Sequence, residues 1–145
     1  MFKQILVPVD GSFAAGKAID KAVAVAVAFQ SAVTVIYVID PYAFTGLGGE
    51  PSHGQAQYRA AASREAGEAI GNARQAFESC GIAVKSSVVE GSSVYQAILD
   101  AAETLEADLV VMCSHGRRGF DKLVLGSVTA QVLSHAHLSV LVVRD

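Results

Sequence analysis

Apolar and polar positions along this chain alternate between two periods, and the alternation sorts it into strands and helices. Gln4 to Val9 is a short apolar run closed by Asp10-Gly11-Ser12, the pattern of a buried strand ending in a turn. Ser12 is placed to cap a helix over Phe13 to Gln30. Within it, Ala22 to Phe29 alternates Ala and Val and by period alone would pass for a strand. Alanine is the best helix former and is depleted in strands, and no turn signal interrupts the segment, so a helix is predicted.

Ala32 to Ile39 reads as a second buried strand. Asp40 to Gly54 holds two of the three prolines and four glycines, so a mobile surface loop is expected there. Tyr58, Ala62, Ala66, Ala69, Ile70, Ala73 and Phe77 recur at helical spacing inside a long helix from Gln55 to Ser79. Gly81 suits the position just past its end. Ile82 to Val89 mixes apolar and polar residues around Lys85, as an edge strand does.

A third helix opens after Gly91-Ser92-Ser93, with Ser93 and Gln96 spaced as a capping box. Its buried stripe is Val94, Ala97, Ile98, Ala101 and Leu105. Asp108 to Met112 is the fourth strand, followed by a loop from Cys113 to Leu125, a helix over Ser127 to Ala136 and a last strand over Ser139 to Val143. Strands alternating with helices give parallel βαβ units and a doubly wound five-stranded sheet. Ligands in such sheets sit beyond the carboxyl ends of the strands, where the winding direction reverses. Here those ends are Asp10-Gly11-Ser12, Val38 to Asp40, Glu90-Gly91 and Cys113 to Gly116.

Composition narrows the function classes. The 145 residues are 52% hydrophobic, enough to bury a core and against disorder. The longest apolar run near the start, Ala22 to Phe29, is far short of the roughly 20 residues of a membrane span. Phe2-Lys3-Gln4 leads straight into the first strand with no secretion signal, so a cytoplasmic protein without membrane contact is expected. Lys and Arg total 11 against 14 Asp and Glu, a net charge of −3, which disfavours nucleic-acid binding. Cys80 and Cys113 are too few for a disulfide framework and are read as reduced thiols. No Cys/His cluster has zinc spacing; His135 and His137 diverge on a helix and are read as helix-end residues.

The segment richest in chemistry is Ser114-His115-Gly116-Arg117-Arg118-Gly119, continuing through Phe120 to Leu125 and ending at Gly126-Ser127. It runs from a strand end to a helix start. Glycine permits positive φ and close approach of a ligand to the backbone. The first N–H groups of the helix after Gly126 lack internal partners and suit a phosphate. Ser127 can cap that helix and reach a phosphate oxygen. Arg117, Arg118 and Lys122 add a local positive patch. An ordinary loop with a capped helix and solvated cations accounts for the same residues. Neither Gly-x-x-x-x-Gly-Lys-[Ser/Thr] nor Gly-x-Gly-x-x-Gly after the first strand is present, which removes P-loop NTPases and classical NAD domains.

These residues, with Leu125-Gly126-Ser127-Val128, the ending Ser139-Val140-Leu141-Val142-Val143 and the opening Ile5-Leu6-Val7-Pro8-Val9-Asp10-Gly11-Ser12, resemble the universal stress protein family over essentially the whole chain. The resemblance implies one Rossmann-like α/β domain over residues 1–145, of the adenine nucleotide alpha hydrolase-like type. Its five parallel strands would take the order 3-2-1-4-5 with helices on both faces. It also implies a homodimer through the last strand, Ser139 to Val143. The family's ATP-binding branch carries Gly-x2-Gly-x9-Gly-[Ser/Thr]. Gly116 and Gly126-Ser127 match its second half, and Cys113 stands where the first glycine is expected. A Cys side chain there would crowd a ribose, or else only its peptide atoms touch the ligand.

By the same resemblance Asp10 holds the ribose or a metal-bound water, and Val38 and Met112 contact adenine beside Pro8 and Val9. Cys113, His115, Gly116, Arg117, Arg118, Gly119, Gly126, Ser127 and Val128 complete the nucleotide site. The ligand is ATP, or AMP or ADP, with or without Mg²⁺. Two other accounts stay open: Asp10 as an Asx-turn before the first helix, and Val38 and Met112 as plain core. Pro8 lacks a ladder donor, and the ligand-side end of a central strand is one place where that is tolerated. The implied function is adenine-nucleotide binding in a stress-response regulator. The alternative is a nucleotide-free dimeric scaffold of the same fold, motivated by Cys113. No base–nucleophile pairing is evident, so no catalytic residue is assigned and at most a slow ATPase is expected, with His115 either a base or a loop-structuring residue.

Overall fold

The computed structural model describes residues 1–41, 53–116 and 124–144. Nine elements follow in strict alternation: β1 Gln4–Pro8, α1 Phe13–Phe29, β2 Ala32–Ile39, α2 His53–Glu78, β3 Val84–Glu90, α3 Val94–Thr104, β4 Leu109–Cys113, α4 Ser127–His135 and β5 Ser139–Val143. All strand pairs are parallel, in the order β3-β2-β1-β4-β5. This is the Rossmann-like order that the resemblance implied. Most of the loop expected from Asp40 to Gly54 lies outside the described residues, and α2 begins at His53, two residues ahead of the expected Gln55.

The side-chain period of two divides each strand between two cores. Ile5, Val7, Val33, Val35, Leu109 and Val111 face α1 and α2. Leu6, Ile36, Val110 and Met112 face α3 and α4. Each large aliphatic side chain buried this way contributes about 1.5–3 kcal/mol of hydrophobic stabilisation.

The strand-like stretch of α1 is explained by its packing. Ala15, Ala18, Ala22 and Ala26 form the buried stripe, small enough to bring the helix close to the sheet, while Val27 stays 55% exposed. Ser12 caps the helix through Ala15 N–H at 3.1 Å, as expected. Gln30 ends it in the left-handed conformation at φ 54°.

The expected capping box of α3 does not form. Ser93 is the N-cap, but its side chain makes no cap hydrogen bond, and Gln96 Nε2 donates to Asp100 Oδ1 at 3.0 Å instead. The amide has turned along the helix to an i,i+4 acceptor. The α3 stripe is buried at Ala97, Ile98 and Ala102, with Val94, Ala101 and Leu105 half-buried around it. No helix among the described residues is long and apolar enough to cross a membrane.

Candidate functional site

β1 and β4 lie side by side but pair only at Ile5↔Leu109 and Leu6↔Val110. β1 pairs with β2 through Pro8↔Ile36. Val9 N–H donates to Ile36 and Gln4 C=O accepts from Asp108, so odd residues of β1 address β2 and even residues address β4. The donor missing at Pro8 would therefore point at β4 where the ladder has already ended. The proline has no N–H to continue that ladder, and it marks the point where the pairing of the two central strands stops.

A cavity of about 450 Å³ opens there, at the carboxyl end of the sheet. Pro8, Val9, Asp10, Val38, Met112, Cys113, Gly116, Gly126, Ser127 and Val128 all line it. The structure thus gathers residues from four separate strand ends and helix starts around one space. His115 does not line the cavity. Arg117, Arg118, Gly119 and Lys122 lie outside the described residues.

The turn after β1 is built tightly. Gly11 takes φ 78°, a conformation that favours glycine. Asp10 Oδ1 accepts from Ser12 N–H at 2.9 Å, so the Asx-turn exists. Asp10 Oδ2 is directed at Gly116. A Cβ on Gly116 would stand 2.8 Å from it. One carboxylate oxygen thus holds the turn and the other faces the cavity-lining loop.

The α4 end of the site is a backbone surface. Gly126, not Ser127, is the N-cap, and among the described residues no side chain caps the helix. Ser127 is the first helical residue. Gly126 N–H donates to Ser114 C=O at 2.7 Å. Ser127, Val128 and Thr129 line the cavity, and their N–H groups belong to the first turn, where donors have no intrahelical acceptor. Gly126 has an ordinary φ of −62°. Space around it is tight: a Cβ would meet His115 Cα at 3.2 Å and Ser114 O at 3.3 Å. The expected use of positive φ at Gly116 and Gly126 is therefore replaced by close backbone packing, and the positive-φ glycines among the described residues are Gly11 and Gly81.

Cys113 is 9% exposed, and its side chain joins the core on the α1 side, whereas Met112 joins the opposite core with Val38. Alternation along β4 sends the thiol away from the face that Met112 and Val38 present. Cys113 C=O accepts from Thr129 Oγ1 at 2.9 Å, a buried bond tying α4 to β4. His115 is 6% exposed, and its Nε2 has no hydrogen-bond partner among the described residues.

Sequence patterns missed four lining residues: Tyr37, Val94, Ile98 and Thr129. Val94 and Ile98 belong to the stripe of α3 and read as core. Only the tertiary placement of α3 against β2 and α4 shows that the first turn of the stripe borders a cavity. Among the described residues no group of His, Cys, Asp and Glu is arranged to hold a metal ion.

A sequence profile of the universal stress protein family matches residues 1–144. A universal stress protein of Methanocaldococcus jannaschii is 34% identical over 145 residues, covering 99% of this chain and 83% of that protein. A solved structure of the universal stress protein UspA from Lactobacillus plantarum superposes with a TM-score of 0.86 at 29% identity, covering 99% of this chain and 98% of the other. The Archaeoglobus fulgidus universal stress protein in complex with dAMP shares the fold at 19% identity, with a TM-score of 0.71 and coverage of 99% and 98%. With sheet order, crevice and sequence in agreement over the full length, this chain belongs to the universal stress protein family.

Proposed function

We propose that this chain is an adenine-nucleotide-binding regulatory protein of the stress response, a cytoplasmic homodimer that takes ATP, or AMP or ADP, in the cavity at the parting of β1 and β4. One observation carries the proposal. The uncapped start of α4, the side-chain-free surfaces of Gly116 and Gly126 and the free oxygen of Asp10 all meet the same 450 Å³ space. Helix N-termini with unpartnered N–H groups accept phosphate. The carboxylate can accept from ribose hydroxyls, and Val38, Met112, Val94 and Ile98 provide apolar walls for a purine. The dAMP of the Archaeoglobus protein belongs to the same ligand class. Mg²⁺ accompanies the nucleotide's phosphates and needs no all-protein cage.

Isothermal titration with ATP, ADP and AMP, with and without Mg²⁺, tests the proposal. Saturable binding of at least one nucleotide is expected; absence of heat at millimolar nucleotide would defeat it. Binding rather than turnover is the proposed task, because His115 is buried away from the cavity lining. Equal phosphate release by wild type and His115→Ala is expected.

The homodimer is proposed through β5. Among the described residues no strand pairs with its outer edge, and Leu141 on it and Leu133 on α4 expose 37% and 42% of their surface. Pairing with a second copy removes such an edge from solvent. Sedimentation equilibrium checks this, with Leu141→Arg expected to shift dimer toward monomer. A nucleotide-free scaffold is the competing account, and it needs a blocked pocket. The packing of the Cys113 side chain into the α1-side core speaks against that block.

A further inference from the structure

The opposite edge of the sheet has a second feature that the nucleotide site does not use. α2 covers β3 on one face. On the other face α3 lies over the sheet's centre, and a groove of about 510 Å³ is left between α3 and the edge. Its floor is Ile36, Ser87 and Val89, and its wall is Ala97, Asp100 and Ala101.

Among the described residues no strand pairs with the outer side of β3. Gly91 N–H donates to Ile39 C=O, and Ala83 C=O accepts from Val33 N–H. Odd positions therefore address β2, and the N–H and C=O groups of Ser86 and Val88 point outward. The register runs without a bulge from Val33↔Val84 to Ile39↔Glu90, and the strand holds no proline. Two common devices that blunt an exposed edge are thus missing. Val88 on this edge is 49% exposed.

The charge of the groove is one-sided. Among the described residues Glu90 and Asp100 are its ionisable lining groups, and no lysine, arginine or histidine lines it. α3 adds exposed Glu103 and carries no basic residue. Lys85, the single cation of β3, pairs in register with Thr34 at the border of the groove and does not itself line it.

We infer that the β3 edge and its groove dock an extended, basic segment of another protein. The free main-chain groups of Ser86 and Val88 require a partner in strand conformation. The apolar floor takes its alternate side chains, and the carboxylates of α3 select lysine or arginine among them. This is strand addition with side-chain pockets supplying specificity.

The test uses the full chain and an acetylated, amidated heptapeptide of alternating Val and Lys. Its controls are the same peptide with Glu for Lys and the Val/Lys peptide N-methylated at alternate residues. In a ¹H–¹⁵N titration the Val/Lys peptide is expected to shift the amides of Ser86 and Val88 and of Ala97 to Ala101. Both control peptides are expected to fail. Asp100→Lys with Glu103→Lys should weaken Val/Lys binding about fivefold, the scale of two exposed ion pairs. Val88→Pro removes an outward donor and leaves the β2 ladder intact, so it should abolish binding in a folded protein. Equal binding of the Glu or N-methylated peptide, shifts located elsewhere, or no binding at millimolar peptide would each overturn the inference. So would self-association of the chain through β3, seen as loss of these shifts with rising protein concentration.

Discussion

Oδ2 of Asp10 stands where a methyl group on Gly116 would have to go, 2.8 Å from the position of that Cβ. Two residues more than a hundred positions apart in sequence are thus fitted to each other across the crevice. The bare Gly116 backbone allows the carboxylate to lie over it, and the Asx-turn through Ser12 N–H keeps the carboxylate in place.

Gly116→Ala should therefore displace the Asp10 carboxylate while leaving the fold intact. Affinity for ATP is expected to fall by about tenfold, the size of a hydrogen bond to a charged group. Asp10→Ala should cost a similar amount. The double variant should lose little more than either single one, because both act on the same contact. Calorimetric titration of the four proteins checks this. Full additivity would separate the two residues.

Gly126→Ala acts on stability first. Its Cβ would meet backbone atoms of Ser114 and His115, which cannot rotate aside. α4 must move off β4, stretching the bond from Thr129 Oγ1 to Cys113 C=O. A loss of about 1–3 kcal/mol in urea unfolding is expected from such overpacking. Thr129→Val, which removes the bond alone, should cost about 1 kcal/mol.

Cys113→Gly distinguishes a crowded pocket from an open one. The thiol packs in the α1-side core, so its removal leaves a small void and a flexible residue in a central strand. Stability should fall by about 1–2 kcal/mol, with nucleotide affinity nearly unchanged. A large gain in affinity would show that the side chain obstructs the sugar after all.

Ser12→Ala removes the side chain that satisfies Ala15 N–H at the start of α1. Loss of an N-cap of this kind costs about 1 kcal/mol. The β1–α1 turn keeps its Asp10 bond to the backbone N–H of residue 12, so ATP affinity should change less than in Gly116→Ala. Thermal unfolding and titration on the same sample give both numbers.

The amino-acid pattern alone was enough for the nine elements, because each rests on local physics. Periodicity separates Ala32–Ile39 from the long α2 stripe, alanine content turns the Ala-Val stretch into α1, and Ser12 shows where that helix begins. Strand order came from family motifs, since periodicity places no strand beside another. Residues at strand ends were legible as a site because a doubly wound sheet has one crevice. Tertiary structure alone decided why Gly116 and Gly126 are glycines, that Gly126 rather than Ser127 caps α4, and which face the Cys113 thiol takes. Those outcomes depend on atoms brought together from distant parts of the chain, and no local propensity encodes the distance between Asp10 and Gly116.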